Sequence, residues 1–161
     1  MGDHRRFKEF AKCIYVHFPP LKFPNIADIA GGKGDLNLAL SASGYDVTTF
    51  DKRKEHSKCQ YRRKLFSKET VVHNEFDLLV GMHPDEATDV IVTTVIEYKL
   101  PFAIVPCCIH PVCIPFNEHS VYRNWIKHLE RYAKEKGYRV EEIILRIKGR
   151  RIALLGYPPK V

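Results

Sequence analysis

Short, wholly apolar runs alternate with longer amphipathic ones along this chain, and that pattern predicts its elements. Phe7, Phe10, Ala11 and Ile14 recur at helical spacing, which predicts a helix over Phe7–Phe18. Pro19 and Pro20 end it, because proline disfavours helical backbone in the residue before it. Asn25–Ala30 is short, apolar and closed by glycines, as a buried strand is. Asp35–Ser43 carries Leu36, Leu38, Ala39, Leu40 and Ala42, a short helix with Gly44 placed as its terminating glycine. Asp46–Phe50 reads as a second strand ending at Asp51. Within the basic stretch Lys52–Lys68 a helix is expected, with a weak strand near Thr70–His73.

Further along, Phe76–Met82 is a clear buried strand. Asp85–Tyr98 is a helix with Pro84 near its first turn, where proline is tolerated. Pro101–Val105 is another buried strand, and Cys107–Phe116 is a proline-rich loop. Ser120–Lys136 is the strongest helix, with Val121, Trp125, Leu129, Tyr132 and Ala133 on one face and Gly137 after it. Val140–Ile147 and Arg151–Tyr157 read as a hairpin turning at Lys148–Arg150. Strands alternating with helices imply an α/β fold, a Rossmann-like three-layer αβα sandwich. Its sheet is expected to be mostly parallel, with an antiparallel C-terminal hairpin strand. At 161 residues the chain suits one domain, residues 1–161, with residues 1–20 as a helix leading into it.

The chemistry concentrates at Asp28-Ile29-Ala30-Gly31-Gly32-Lys33-Gly34-Asp35, after the first predicted strand. Glycines there let the backbone turn sharply and let a ligand approach the main chain. Asp51, closing the next strand, is placed to accept both hydroxyls of a ribose. A P-loop is excluded because Lys33 is followed by Gly34 rather than Ser or Thr. A dinucleotide fingerprint is excluded because its third glycine position holds Asn37, and Asp35 would repel a pyrophosphate. A nucleoside cofactor without phosphates fits better. A bare tight turn is the plain alternative, but it needs neither three glycines in four residues nor a spaced acid.

On these residues the chain resembles class I S-adenosylmethionine-dependent methyltransferases, whose first motif is [DE]-x-G-x-G-x-G. Ala30 replaces the first glycine. The resemblance implies that Asp28, Ala30, Gly31, Gly32, Lys33 and Gly34 carry the methionine part of S-adenosylmethionine, and that Asp51 and Lys52 lie at its ribose. It also places Gly81, His83, Pro84 and Asp85, after the fourth strand, toward the cofactor and the methyl acceptor. Gly81-Met82-His83 followed by Pro106-Cys107-Cys108 is similar to a subset of methyltransferase-like proteins that includes a family 2′-O-methylating tRNA. There the first loop commonly continues with cysteine and glycine, whereas here it continues Pro84-Asp85-Glu86.

His83 titrates near neutrality and is the candidate catalytic base; Asp85 would orient it or bind substrate. Asp85 serves equally well as a helix N-cap. Cys107, Cys108, His110 and Cys113 lack the paired C-x-x-C spacing usual for zinc, so no metal is expected and packing thiols are.

Charge extends this picture. The net charge of +7 permits nucleic-acid contact. Lys52, Arg53, Lys54, Lys58, Arg62, Arg63, Lys64 and Lys68 cluster after the second strand, and Lys148, Arg150 and Arg151 at the hairpin turn. RNA is therefore the expected substrate, although a solvated helix face would look the same. Five cysteines, an odd number with three clustered, argue against a secreted disulfide framework. No apolar run nears the ~20 residues a membrane crossing needs. A polar, basic N-terminus without an apolar stretch behind it predicts a cytoplasmic or nuclear protein. Two alternatives remain: a methyltransferase acting on a small molecule or protein, and a non-catalytic binding module that works with a protein partner.

Overall fold

The computed structural model describes residues 3–53, 59–70 and 74–160. Seven strands form one sheet: β1 (Asn25–Ile29), β2 (Asp46–Asp51), β3 (Tyr61–Arg63), β4 (Leu78–Met82), β5 (Phe102–Val105), β6 (Arg139–Ile144) and β7 (Ile152–Tyr157). Their order is β3-β2-β1-β4-β5-β7-β6. Strands β1 to β5 pair in parallel; β7 is antiparallel to both β5 and β6. The helices are α1 (Arg6–His17), α2 (Asp35–Ser41), α3 (Thr88–Tyr98) and α4 (Tyr122–Glu135).

The central strands are buried on both faces, so they read as unbroken apolar runs. Successive side chains still point to opposite sides. Ile26, Leu78, Val80, Ala103 and Leu155 pack with Phe10 and Ile14 of α1 and Leu36 and Leu40 of α2. Ala27, Leu79, Phe102, Ile104 and Leu154 pack with Ile91 and Val95 of α3 and Trp125 and Leu129 of α4. The result is the expected three-layer arrangement, with the carboxyl ends of β1, β2 and β4 opening at one rim.

Four expectations change. The segment Tyr61–Arg63 is a strand rather than part of a helix, pairing Thr49 with Tyr61 and Asp51 with Arg63. An open edge of β2 satisfies its backbone groups. Arg62, laid over Phe50 and Phe76 and paired with Glu75, tolerates the apolar face. Thr70 ends a 3-10 turn, Lys68–Thr70, rather than opening a strand; residues 71–73 lie outside the described residues, as do Lys54 and Lys58. The hairpin connection is longer than three residues, because Leu145 and Ile147 leave the ladder to bury themselves on the α1 side. Val121 precedes α4 and is 63% exposed, outside the apolar face assigned to it.

Candidate functional site

The glycine loop is built by close approach. Gly31 sits directly over β1: a Cβ there would lie 2.2 Å from Asp28 Oδ2 and 2.6 Å from Thr49 Cγ2. Gly32 and Gly34 take positive φ of 58° and 88°, as does Ala30 at 56°. Ala30 therefore does what the missing first glycine would do, at the steric cost of its Cβ. Its N–H donates to the Phe50 carbonyl at 2.7 Å, which locks the turn to β2.

Asp28 is wholly buried beneath this loop. Thr49 Oγ1 donates to its Oδ2 at 2.9 Å, whereas Oδ1 is buried with no hydrogen-bond partner among the described residues. Burial raises its pKa to about 7; the Thr49 hydrogen bond opposes the shift and the charge of Asp51 adds to it. Asn37 completes the network: its Nδ2 donates to Val47 O, Thr49 Oγ1 and Gln60 O at 3.0–3.2 Å. The residue that broke the dinucleotide fingerprint thus ties α2 to β2 and to the edge.

At the end of β2, Asp51 is enclosed by donors. Its Oδ2 accepts from the Gly32 N–H (2.8 Å) and Arg53 Nη2 (2.8 Å); its Oδ1 accepts from the Arg53 N–H (2.9 Å) and Nε (3.0 Å). A carboxylate has about four acceptor positions, and all are used. Burial alone would raise its pKa, but these bonds outweigh it and hold the group below the usual value. Lys52 beside it pairs with Glu86 at 2.5 Å.

The β4 loop carries backbone strain. His83 and Asp85 have φ of 52° and 49°, a conformation costing on the order of 1–3 kcal/mol per residue outside glycine. The His83 N–H donates to Val105 O, and its Nε2–H donates to the Arg150 carbonyl of the β6–β7 connection, both at 2.9 Å. Burial lowers its pKa, against the opposing pull of the Arg150 carbonyl. The ring is therefore neutral at physiological pH, with its lone pair at Nδ1. Asp85 does not cap α3. Its side chain accepts from Cys107 Sγ at 2.8 Å and Cys108 Sγ at 3.6 Å. In α3 the buried Asp89 binds the N–H groups of Val112, Cys113 and Ile114 at 2.7–2.9 Å, which pins the proline-rich loop.

Two adjoining hollows open at this rim. One, of about 260 Å³, has a largely apolar wall of Ile29, Phe50, Phe66 and Ala87, with Asp51, Lys52 and His110 at its border. The other, of about 300 Å³, is polar and lined by Asp28, Gly31, Gly32, Lys33, Met82 and His83, with Arg6 and Phe7 of α1. Ala30, Arg53 and Asp85 line both. Together they form an elongated site with an apolar slot at one end and charged groups at the other, as a small ligand with an apolar and a charged part requires.

Of the sequence-predicted residues, Gly34 and Gly81 line neither hollow. Gly34 is the left-handed N-cap of α2, and Gly81 makes room for Ile91 and Pro84. Sequence reasoning did not place Arg6, Phe7 or Phe66 at the site, and it weighed His110 as a metal ligand. Phe66, an aromatic stranded among basic residues, was the one legible signal.

No protein-family model matches this sequence, and no curated protein matches it. Solved structures do. The sugar N-methyltransferase KedS8 from Streptoalloteichus sp ATCC 53650 superposes with a TM-score of 0.63 at 9% identity, over 98% of this chain and 88% of its own. The ribosomal protein L11 methylase from Lactobacillus delbrueckii subsp. bulgaricus gives 0.63 at 14%, over 99% and 81%. The glycopeptide N-methyltransferase MtfA, complexed with S-adenosyl-L-methionine, gives 0.63 at 12%, over 97% and 96%. This chain has the Rossmann-like α/β fold of these methyltransferases.

Proposed function

We propose that the chain is a methyltransferase that takes its methyl group from S-adenosylmethionine. The observation that carries this reading is the unpartnered Oδ1 of Asp28 in the polar hollow, joined through Ala30 to an apolar slot that ends at Asp51. A buried acceptor needs a donor, and the ammonium of an amino-acid moiety is one. The slot suits a purine, and Asp51 suits the ribose between them. S-adenosylmethionine supplies an electrophilic methyl group on a sulfonium.

The chain's part is to position and to deprotonate. Asp28 and the loop amides hold the amino-acid end, and Phe50 and Phe66 flank the base. His83 Nδ1 accepts the proton that the acceptor loses as its bond to the methyl carbon forms and the carbon–sulfur bond breaks toward sulfur. RNA is the proposed acceptor. Its support is the position of the basic β6–β7 turn: exposed Arg146, Lys148, Arg150 and Arg151 adjoin His83 through the Arg150 carbonyl. The earlier basic segment supports it less, because Lys52, Arg53, Arg62 and Lys68 each pair with a carboxylate.

Asp51 favours one competing reading. With its acceptor positions filled by Arg53 and Gly32, the fold serves equally as a binding module without catalysis. Calorimetry with S-adenosylmethionine and S-adenosylhomocysteine separates the two. Saturable binding that Asp51→Ala abolishes is expected, and no heat at millimolar ligand overturns the methyltransferase reading. Labelled methyl transfer to total RNA rather than protein or small molecules, falling steeply with salt, identifies the acceptor class.

A further inference from the structure

At the rim of the site, three ligating atoms converge from two loops that the sequence keeps apart. Asp85 Oδ1 lies 2.8 Å from Cys107 Sγ and 3.6 Å from Cys108 Sγ, and the two sulfurs are 3.5 Å apart. Among the described residues this is the one group of three His, Cys, Asp or Glu side chains whose ligating atoms lie within 4.8 Å of one another. Tetrahedral zinc, with bonds of about 2.0–2.3 Å, sets its ligand atoms roughly 3.3–3.8 Å apart. Two of the three separations already lie in that range, and the third needs about half an ångström of opening. The sequence spacing around Cys107 had no second pair to offer. The missing ligand is a carboxylate 22 residues earlier in the chain.

We propose that Asp85, Cys107 and Cys108 form a site for a thiophilic divalent cation, zinc in the first instance. Two sulfurs and one oxygen select zinc over magnesium or calcium, which take all-oxygen shells. On binding, both thiols coordinate as thiolates and release their protons to solvent, and the Asp85 carboxylate keeps its charge.

The surroundings hold the ligands in place. Positive φ at Asp85 turns it to face the cysteines. Tyr122 Oη donates to the Pro106 carbonyl at 2.5 Å, which fixes the approach to Cys107. The Arg150 guanidinium stacks 3.8 Å from the Tyr122 ring centroid, and the Arg150 carbonyl is held by His83. Cys107 and Cys108 are half-buried and Asp85 is exposed, so a cation can enter from solution. Asp85 also lines both hollows, so the cation site borders them.

The test is metal content and zinc titration of the full chain purified under reductant, with cobalt as the spectroscopic substitute. One equivalent of zinc is expected, together with sulfur-to-cobalt charge-transfer absorption. Cys107→Ser, Cys108→Ser and Asp85→Asn should each weaken binding by more than the ~10–100-fold that losing a supporting hydrogen bond costs. Cys113→Ser should leave it unchanged, and circular dichroism checks that each variant folds. Substoichiometric zinc, zinc affinity untouched by the three variants, or a Cys107–Cys108 disulfide that persists under reductant overturns the site. None of these readouts involves S-adenosylmethionine, so the site can fail while the methyltransferase reading stands, and the reverse.

Discussion

Asp28 and Asp51 are both carboxylates at the ends of neighbouring strands, yet their surroundings push them opposite ways. Asp28 is buried with one hydrogen bond, and its pKa rises to about 7 from 3.8. The native state therefore holds this proton more tightly than the unfolded chain does. Its contribution to stability falls as pH rises from about 4 to about 7, then levels off. Asp28→Asn removes that slope. Urea unfolding at pH 8 should find the variant a few kcal/mol more stable than wild type, while calorimetry finds its affinity for S-adenosylmethionine reduced at least about tenfold, the loss of one charged hydrogen bond. A variant that is destabilised, or that binds as wild type does, overturns the role given to Asp28. Asp51 faces the converse problem. A ribose can bond its oxygens only when the Arg53 side chain, 59% exposed, swings aside. The pair joins a half-exposed guanidinium to a buried carboxylate, and releasing it costs on the order of 1 kcal/mol, so Arg53→Ala should tighten cofactor binding by up to about fivefold. Weaker binding in that variant would show that Arg53 holds ligand instead of excluding it.

The strand pairing β5–β7 depends on one glycine among the elements. Phe102 lies opposite Gly156, and a Cβ on Gly156 would come within 2.0 Å of the Phe102 ring. Gly156→Ala must push the antiparallel pair apart, and thermal or urea unfolding should show a loss of about 2–3 kcal/mol. The connection before β7 carries the carbonyl that holds His83, so the same variant should also impair methyl transfer more than cofactor binding. Asn37 does the equivalent work for α2. Asn37→Ala leaves Val47 O, Thr49 Oγ1 and Gln60 O without their shared donor, and should cost about 2–3 kcal/mol in the same measurement. Element positions were legible because 3.6-residue and continuous apolar patterns are local. The short strand β3 was not, because Tyr61–Arg63 carries charge and pairs only once β2 offers an edge.

Across the whole molecule, the strand order places β1, β4 and β2 side by side, although α2 and the β3 region separate them in the chain. In open parallel sheets ligands bind beyond the carboxyl ends of such strands. That arrangement gathers Asp28, Asp51 and His83 from three segments. It also carries the basic β6–β7 turn from the far edge of the fold to the β4 loop. Among the described residues, no helix is long and apolar enough to cross a membrane.

By itself the sequence determined the main helices and the central strands, the layered α/β class and the spacing of the glycine loop and its two acids, because each follows from patterns between near neighbours. The spacing of Asp28, Gly31–Gly34 and Asp51 follows from one strand, one turn and one short helix. Only the tertiary structure decided which polar atoms are paired, and with what. It left Asp28 Oδ1 without a partner, covered Asp51 with Arg53, and turned Asp85 from a cap into a neighbour of two thiols. These outcomes depend on side chains brought together from distant segments, on burial that shifts a carboxyl by desolvation, and on the strained backbone at His83 and Asp85. None of the three is encoded in the periodicity of a single segment.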